Sequence, residues 1–308
     1  MTNQTKDEAL GRVAAHFKGK NVLITGGFGF IGSHIVEHYQ GRAEVRVLDN
    51  LRSGHRENLA GRECQFIEAS ILDTAALAEA VAGVDLVFHL AALISVPESM
   101  AKPHECVALN VTGTLNVLEA AAAAGCRKVV LASSAAIYGD NPTVPKVETM
   151  LPEPRSPYAV TKLDGEYYLQ LFAREGKIKT TSLRFFNVFG PRQDPKSAYA
   201  AAVPIFIERA LAGRPLTIYG DGEQTRDFIY VKDIVSALAF AAEHPELSGT
   251  FNVGYGDRLT VNALAREILR LCAGPGSDAA NPTTTTTTIE YAPERPGDVK
   301  HSLASADK

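Results

Sequence analysis

The sequence predicts an α/β protein, with a doubly wound parallel sheet followed by a smaller C-terminal α/β part. Three observations support this fold class. Short apolar runs recur through the first half of the chain, longer patterns of helical periodicity lie between them, and a glycine-spaced turn follows the first run. The runs are continuous rather than alternating, as is typical of parallel strands that are buried on both faces.

Five apolar runs predict the strands of the sheet, at residues 21–25, 45–48, 65–68, 86–89 and 128–131. Helical patterns predict the crossovers between them, at residues 31–40, 74–81 and 103–124. After a further apolar run at residues 181–185 the alternation weakens, and loops rich in proline and glycine separate shorter elements. A six-threonine tract at residues 283–288 is expected to be a surface loop rather than an edge strand.

Composition narrows the class of function. A chain of 308 residues, 45% of them hydrophobic, is long enough to bury a full core, and its net charge of -4 gives no global field to hold nucleic acid. We find no stretch of the ~18 apolar residues that a membrane span needs. Residues 1–20 lack the apolar core of a signal peptide, which favours a cytoplasmic protein. Four scattered cysteines, without Cys-x-x-Cys spacing, predict reduced thiols and no metal site.

Three glycines, Gly26, Gly29 and Gly32, lie directly after the first predicted strand and at the start of a predicted helix. The first permits a tight turn, the second lets the backbone approach a pyrophosphate, and the third lets helix and strand pack closely. Asp49 follows Gly32 by 17 residues, where a carboxylate accepts hydrogen bonds from an adenosine ribose and repels a 2′-phosphate. The pattern favours NAD, with two alternatives open: Arg52 holding the 2′-phosphate of NADP, and a purely structural turn.

The sequence predicts three parts of the chain. Residues 1–20 are an N-terminal extension, residues 21–185 form a Rossmann domain for the dinucleotide to which some later segments return, and residues 186–308 form mainly a substrate domain.

Tyr158 and Lys162 lie four residues apart behind Pro157, which suits the first turn of a helix, so both side chains share one helix face. This spacing also arises by chance, and a solvated helix face is the alternative. Beside a dinucleotide site, an ammonium close to a phenol favours the phenolate. We therefore expect a lowered pKa of Tyr158 and a role as general base.

These features belong to a series of eight motifs in one order. They are the glycine turn (25–32), HLAA (89–92), NVTGT (110–114), SSAAIYG (133–139), YAVTK (158–162), RFFNVFGP (184–191), RDFIYV (226–231) and RPGD (295–298). On these motifs the chain, over residues 20–303, resembles the extended short-chain dehydrogenase/reductases, specifically their NAD-dependent epimerase/dehydratase group, and within it the UDP-hexose 4-epimerases.

The resemblance implies a reaction and a set of site residues. Ser134 would hydrogen-bond the sugar hydroxyl, Tyr158 would remove its proton, and Lys162 would hold the nicotinamide ribose; hydride would pass from C4 to NAD and return to the other face of a 4-keto sugar. The residues implied to bind NAD are Gly26, Gly29, Phe30, Ile31, Gly32, Asp49, Asn50, Ser53, Gly54, Ser70, Ile71, Leu90, Ala91, Ala92, Asn110, Tyr158, Lys162 and Phe186. Those implied to bind the UDP-sugar are Ser95, Ser134, Tyr158, Asn187, Ala201, Val203, Tyr219, Arg226, Arg295 and Ser302.

Four positions indicate the branch of the group. Ala135 and Ala136 stand where dehydratases and decarboxylases carry an acid, which favours epimerisation. Asn187 stands where uronate epimerases tend to carry threonine, which favours a neutral hexose. Ser302 matches a position whose small size is associated with 2-acetamido sugars. We therefore expect interconversion of UDP-GlcNAc and UDP-GalNAc, with UDP-Glc and UDP-Gal as a second pair.

The chain also departs from the family pattern. Ser70 lies in an Ala-Ser-Ile segment where Gly-Asp-Ile is usual, which removes a carboxylate expected near the adenine, and Ile94 replaces a lysine found in some epimerases. The family usually has a final helix beyond the position of Lys308, so an incomplete cover over the sugar is expected. The alternatives are a uronate 4-epimerase, a reductase of 4-keto sugars, and a sensor that binds NAD without catalysis.

The predicted helices at residues 103–124 and 158–174 carry more apolar surface than the sheet needs. The matching helices of the family pair into a four-helix interface, so the resemblance implies a homodimer.

Overall fold

The computed structural model describes residues 19–195, 201–273, 287–294 and 300–308. The strands are β1 (Asn21–Thr25), β2 (Glu44–Asp49), β3 (Gln65–Glu68), β4 (Leu86–His89), β5 (Lys128–Ser134), β6 (Lys179–Phe185), β7 (Asn187–Phe189), β8 (Leu216–Tyr219), β9 (Thr225–Arg226), β10 (Phe228–Tyr230), β11 (Gly249–Val253), β12 (Leu259–Thr260) and β13 (Ile289–Ala292). A seven-stranded parallel sheet has the order β3-β2-β1-β4-β5-β6-β11. The predicted doubly wound parallel sheet is confirmed.

The helices are α1 (Phe30–Tyr39), α2 (Thr74–Val81), α3 (Val96–Ala101), α4 (Pro103–Val107), α5 (Gly113–Ala123), α6 (Pro157–Arg174), α7 (Ala202–Leu211), α8 (Val231–Glu243) and α9 (Val261–Cys272). Several begin at a side-chain cap. Asp73 accepts hydrogen bonds from two amides of α2, Ser156 accepts one from α6, and Thr260 accepts one from α9. Such caps satisfy amides that have no partner within the first turn.

The two faces of the sheet bury separate cores, because successive side chains of a strand point to opposite faces. Val22 and Ile24 of β1 pack in one core with α1 and α8, whereas Leu23 packs in the other with α2, α5 and α6. Helix α8 and strand β11 therefore return to the sheet after β7 to β10 have left it. The predicted division of the chain into domains stays a prediction.

A third core lies outside the main sheet. It joins α7, β8 and α9 through buried side chains that include Phe206, Ile218 and Leu264. Three two-stranded sheets surround it or lie beside it: β7 with β10, β9 with β12, and β8 with β13. Thr287 and Thr288, the described end of the threonine tract, have no regular structure, but the carbonyl of Thr288 accepts a hydrogen bond from Leu216 and leads into β13. The tract before them lies outside the described residues.

One predicted helix differs in form. Residues 103–124 were expected to be a single crossover helix, but a π-helical turn (Ala108–Thr112) separates α4 from α5. Such a turn inserts an extra residue into the helix. Here it holds the side chain of Asn110 in the protein interior.

The expectation that no stretch is long and apolar enough for a membrane span is wrong for this segment. Pro103–Ala123 meets that test by length and composition, with 39% of the apolar window buried. In the fold, however, its α5 part packs against α2 and α6 within the core on that face of the sheet.

Candidate active site

The glycine turn connects β1 to α1 at the carboxyl edge of the sheet. Gly26 has a φ of +75°, which favours glycine, and a Cβ there would lie 2.9 Å from the amide nitrogen of Ala91. A Cβ at Gly32 would lie 2.1 Å from the carbonyl oxygen of Gly26, so helix and turn meet through their backbones. Gly29 caps α1 without a side-chain hydrogen bond, which leaves the first amides of the helix available to an anion. The turn thus fits a pyrophosphate.

Asp49, at the end of β2, is bonded to the same turn. Its Oδ2 accepts a hydrogen bond from the amide of Phe28 at 2.9 Å, and its Oδ1 accepts one from the amide of Leu51 at 2.8 Å. Burial raises the pKa of Asp49, and these amide donors oppose that shift. Gly54 lies against the carboxylate, since a Cβ there would be 3.1 Å from Oδ2. Asp49 therefore shapes the loop in which the adenosine ribose is expected.

Arg52 is engaged by acidic side chains. Its guanidinium lies 2.7 Å from the Glu98 carboxylate in α3 and pairs also with Glu105 in α4. The hydrogen bonds and charges of these carboxylates raise the pKa of Arg52. A 2′-phosphate would compete with two carboxylates for this guanidinium, so the alternative of NADP loses its main support.

Several residues expected at the cofactor have side chains that bond within the protein. Asn110 donates from Nδ2 to the Leu93 carbonyl at 2.9 Å and to Thr161 Oγ1 at 3.0 Å, and its Oδ1 accepts from the Leu93 amide at 2.7 Å. Ile71 fills the space beside Gly113. The side chain of Asn110 thus braces the loop after β4, a use that its position in the sequence does not reveal.

Other residues expected at the site cap local turns. Ser70 Oγ accepts from the amide of Leu72, Asn50 Oδ1 from Arg52, and Ser95 Oγ from Glu98 at the start of α3. Their contacts with a cofactor or substrate stay predictions.

Ser134, Tyr158 and Lys162 come together where β5 ends beside the first turns of α6. Strand β5 is longer than the apolar run predicted, because it continues through polar residues to Ser134. Lys162 Nζ donates to the Ala132 carbonyl at 2.8 Å and lies 5.9 Å from the centre of the Tyr158 ring. Ser134 Oγ accepts from the Ala136 amide at 3.1 Å, which leaves its hydroxyl hydrogen for another acceptor.

The pKa expected for the tyrosine is not found in this structure. Burial raises the pKa of Tyr158, a hydrogen bond with Ser134 opposes the shift, and the charge of Cys106 adds to it. Burial also lowers the pKa of Lys162 to about 8. The expectation of a lowered pKa of Tyr158 is therefore wrong here, because desolvation dominates and the Lys162 ammonium, which donates to the Ala132 carbonyl, does not offset it.

A buried ion pair lies directly beneath these residues, and the sequence reasoning missed it. Arg184 donates to both oxygens of Glu166, at 2.9 and 2.7 Å, and Ser133 Oγ donates to Glu166 Oε1 at 2.5 Å. Arg184 also donates to Tyr138 Oη at 2.9 Å. A signal was present, because Glu166 lies four residues after Lys162 on the same face of the helix.

The residues expected to bind the UDP-sugar are spread over later elements. Asn187 of β7 donates through its backbone and side-chain nitrogens to the Asp227 carbonyl. Ser302 donates from its amide to the Thr225 carbonyl at 3.1 Å and so lies beside Arg226. Tyr219 ends β8, Ala201 precedes α7, and the side chain of Val203 is buried in the third core. Phe186 likewise packs against Tyr138, and Arg295 lies outside the described residues.

Asp227 is a second buried carboxylate that the sequence reasoning did not single out. Its Oδ1 accepts from the Tyr255 amide at 2.8 Å, and its Oδ2 accepts from the amides of Gly256 at 3.2 Å and Ala304 at 3.0 Å. It therefore ties the loop after β11 and the segment containing Ser302 to the strand that carries Arg226.

All four cysteines are free, and burial raises the pKa of Cys126 to about 11. Within the described ranges, His, Cys, Asp and Glu side chains form no group of three that could hold a metal ion.

Comparison with known proteins adds a family to this geometry. A model of the NAD dependent epimerase/dehydratase family matches residues 22–254. The UDP-glucose 4-epimerase of Mycolicibacterium smegmatis is 39% identical over 289 residues, which are 91% of this chain and 88% of that protein. A UDP-N-acetyl-alpha-D-glucosaminuronate decarboxylase of Bacillus cytotoxicus is 38% identical over 261 residues, 82% of this chain and 80% of that protein.

Among solved structures, the UDP-N-acetylglucosamine 4-epimerase of Methanobrevibacter ruminantium M1, in complex with UDP-N-acetylmuramic acid, is 41% identical. It superimposes with a TM-score of 0.87 and covers 94% of this chain and 91% of that one. The glycine turn, the site beside it and these similarities lead to one conclusion: the chain belongs to the NAD-dependent epimerase/dehydratase family.

Proposed function

We propose that this chain is an NAD-dependent UDP-hexose 4-epimerase that acts through a transient 4-keto sugar. The observation that carries the proposal is the meeting of Ser134, Tyr158 and Lys162 at the end of β5, with alanine at positions 135 and 136. Oxidation and reduction at C4 need a base and a hydroxyl that donates a hydrogen bond, and Tyr158 and Ser134 provide them. Loss of water from the sugar would need a further proton donor, which the two alanines cannot supply.

The cofactor fits the residues present. At Gly26 and Gly32 the backbone is so close to its neighbours that a Cβ would not fit, and the first amides of α1 are available to the pyrophosphate. Asp49 lies beside the turn, where the adenosine ribose is expected. Bound NAD supplies a hydride acceptor that becomes the hydride donor when the ketone is reduced. Tyr158 accepts the proton of the C4 hydroxyl and later returns it to the same oxygen. The Ser134 hydroxyl, which in this structure bonds to Tyr158, would donate its hydrogen to that oxygen when the sugar is bound, and the Lys162 ammonium, 5.9 Å from the centre of the ring, would stabilise the phenolate.

The preferred substrates in our proposal are UDP-GlcNAc and UDP-GalNAc, with UDP-Glc and UDP-Gal as a second pair. Ser302 supports this choice because it is small and lies next to Arg226, where a guanidinium suits a diphosphate. The third core, with the segment that contains Ser302, is then the substrate domain. A bulky residue at this position would narrow the space for a 2-acetamido group.

A second candidate is a reaction on UDP-uronates, favoured by the similarity to a decarboxylase. Ala135 and Ala136 argue against it, since handling a carboxylate needs further acid or base groups.

The test is an assay of the purified protein with UDP-GlcNAc, UDP-GalNAc, UDP-Glc, UDP-Gal and UDP-glucuronate, without added NADH. We expect turnover of the four hexoses, loss of turnover in Tyr158→Phe with NAD still bound, and selective loss of the acetylated pair in Ser302→Tyr. Turnover of the uronate alone would contradict the proposal, as would turnover that requires added NADH and consumes it. Turnover of the non-acetylated pair alone would refute the role of Ser302.

We further propose a homodimer formed through α4, α5 and α6. Apolar side chains of α4 and α6 are exposed to between 43% and 49%: Val107 in α4, and Val160, Tyr167 and Leu171 in α6. Exposed apolar area of this kind indicates an interface, and two such helical faces would form a four-helix bundle. Sedimentation at micromolar concentration should give a dimer, and Leu171→Arg should give a monomer. A monomeric parent protein would refute this assembly.

We place the activity in the cytoplasm. The four free cysteines suit a reducing compartment.

A further inference from the structure

A chain of hydrogen bonds crosses from β1 through β4 to the π-helical turn, with His89 at its centre. His89 is 1% exposed, so its ring has no access to solvent. Its Nδ1 lies 2.8 Å from Thr25 Oγ1, and its Nε2 lies 2.9 Å from Thr114 Oγ1. The proposed reaction assigns no role to this imidazole.

The partners determine which nitrogen carries the proton. Thr114 donates its hydroxyl hydrogen to the Asn110 carbonyl at 2.6 Å, so towards His89 it acts as an acceptor. Nε2 must then be the donor, which leaves Nδ1 as the acceptor of the Thr25 hydroxyl. Thr25 Oγ1 in turn accepts from the Ala91 amide at 3.2 Å. Every group in the chain is satisfied with one neutral tautomer of His89.

The charged form is disfavoured at this position. Burial, with a contribution from the Lys162 charge, lowers the pKa of His89 to about 3. A second proton would also face the Thr25 hydroxyl, which would then lose its acceptor. At neutral pH His89 therefore does not supply or take up a proton.

The segments that these hydrogen bonds join surround the dinucleotide cleft. Thr25 directly precedes Gly26, where the backbone comes so close to Ala91 that a Cβ would lie 2.9 Å from its amide nitrogen. At the other end, Asn110 holds both backbone groups of Leu93 through its side chain. His89 thus connects the glycine turn, the loop after β4 and the π-helical turn.

We propose that His89 is a positioning residue for NAD, which holds the glycine turn against the loop after β4 in the arrangement that the cofactor needs. The Thr25 arm sets the position of the turn, and the Thr114 arm anchors the ring to the π-helical turn. This inference depends on the glycine turn being the NAD site and is independent of which sugar is the substrate.

The two arms can be separated by substitution. An asparagine side chain reaches as far as Nδ1 and keeps an acceptor for Thr25, whereas glutamine reaches as far as Nε2 and keeps a donor for Thr114. Leucine removes both. Thr25→Val and Thr114→Val delete one hydroxyl each at nearly constant shape. Thr181→Val is the matched control, because this buried hydroxyl in β6 donates only to the Leu247 carbonyl, far from the turn.

The measurements are the dissociation constant of NAD from protein stripped of cofactor, kcat at saturating NAD, and thermal unfolding. We expect His89→Leu and Thr25→Val to weaken NAD binding by about tenfold or more, as for one lost hydrogen bond. His89→Asn should restore affinity to within about threefold of the parent, and His89→Gln should not. Saturating NAD should recover most of kcat.

Either of two results would overturn the proposal. If Thr181→Val weakens NAD binding as much as Thr25→Val, the effect is general destabilisation; if His89→Leu binds NAD within about twofold of the parent, the imidazole does not position the turn. Should the His89 variants fail to fold, the three threonine variants give the same decision. Because the readout is NAD binding, a wrong assignment of the sugar would leave the result unaffected.

Discussion

Replacing Glu166 by glutamine should destabilise the protein and lower its activity together. The Glu166 and Arg184 side chains are 1% and 5% exposed, and two hydrogen bonds join them in a fork. Glutamine removes the charge and offers one acceptor in place of two, so the Arg184 guanidinium stays buried without its counter-ion. Breaking a buried pair from one side costs about 3–5 kcal/mol in the free energy of unfolding.

The pair should also affect the chemistry because of where it lies. Ser133, which donates to Glu166, directly precedes Ser134, and Lys162 lies one helical turn before Glu166. We therefore expect Glu166→Gln to lower kcat as well. The loss of stability is measured by urea unfolding of the NAD-bound protein. Replacing both partners, as Glu166→Met with Arg184→Met, should recover part of the stability, because no buried charge is then left alone.

The chain contains a matched control for this experiment. Arg270 donates to both oxygens of Glu267, at 2.8 and 2.5 Å, with the same fork geometry but with both side chains 50% exposed. Solvent screens this pair, so Glu267→Gln should leave the unfolding free energy unchanged. The reasoning is refuted if Glu166→Gln and Glu267→Gln lose similar stability. It is also refuted if the losses of the single variants Glu166→Met and Arg184→Met simply add up in the double variant.

Three further outcomes are expected. Lys128→Met should lower the unfolding free energy by about 2–4 kcal/mol, because Lys128 Nζ donates to three carbonyls at and beyond the end of α8, at 2.6, 2.8 and 2.8 Å; urea unfolding measures this, and an unchanged midpoint would contradict it. The pKa of His89 is lowered to about 3, below the ordinary value of 6.5, so only the unfolded chain takes up this proton as the pH falls from about 6.5. Stability should therefore drop with acid, and His89→Asn should reduce that slope by about 1.4 kcal/mol per pH unit between pH 6 and 4; equal slopes in unfolding at several pH values would count against the burial argument. Replacing Glu98 and Glu105 by glutamine should release Arg52 and raise the affinity for NADP relative to NAD by a few-fold; an unchanged ratio in binding titrations would show that Asp49 alone decides.

Local patterns predicted six of the seven strands of the main sheet, because each of the six contains a short apolar run, and did not predict β11. The runs at residues 21–25, 65–68 and 86–89 have the bounds of β1, β3 and β4. Strands β2 and β5 are longer than predicted, because their ends carry polar residues such as Asp49 and Ser134 that a hydrophobic pattern excludes. These polar ends are the site, so the boundaries most difficult to predict are the ones that matter for function.

The π-helical turn could not be predicted from the hydrophobic pattern either. Periodicity cannot detect one inserted residue, and the side chain of Asn110 looks like a ligand contact until its bonds to Leu93 and Thr161 are seen. The pKa of Tyr158 was predicted in the wrong direction because sequence spacing gives a neighbour but not the extent of desolvation.

By itself, the sequence determined the fold class, the glycine turn, the pairing of Tyr158 with Lys162 and the family. Each depends on residues close together in the chain or on motifs in a set order. Only the tertiary structure decided that Arg52 is held by Glu98 and Glu105, that Glu166 and Arg184 form a buried pair, and that His89 bridges three segments. These contacts join residues from 18 to 64 positions apart, and burial, which sets their strength, exists only once the chain has folded.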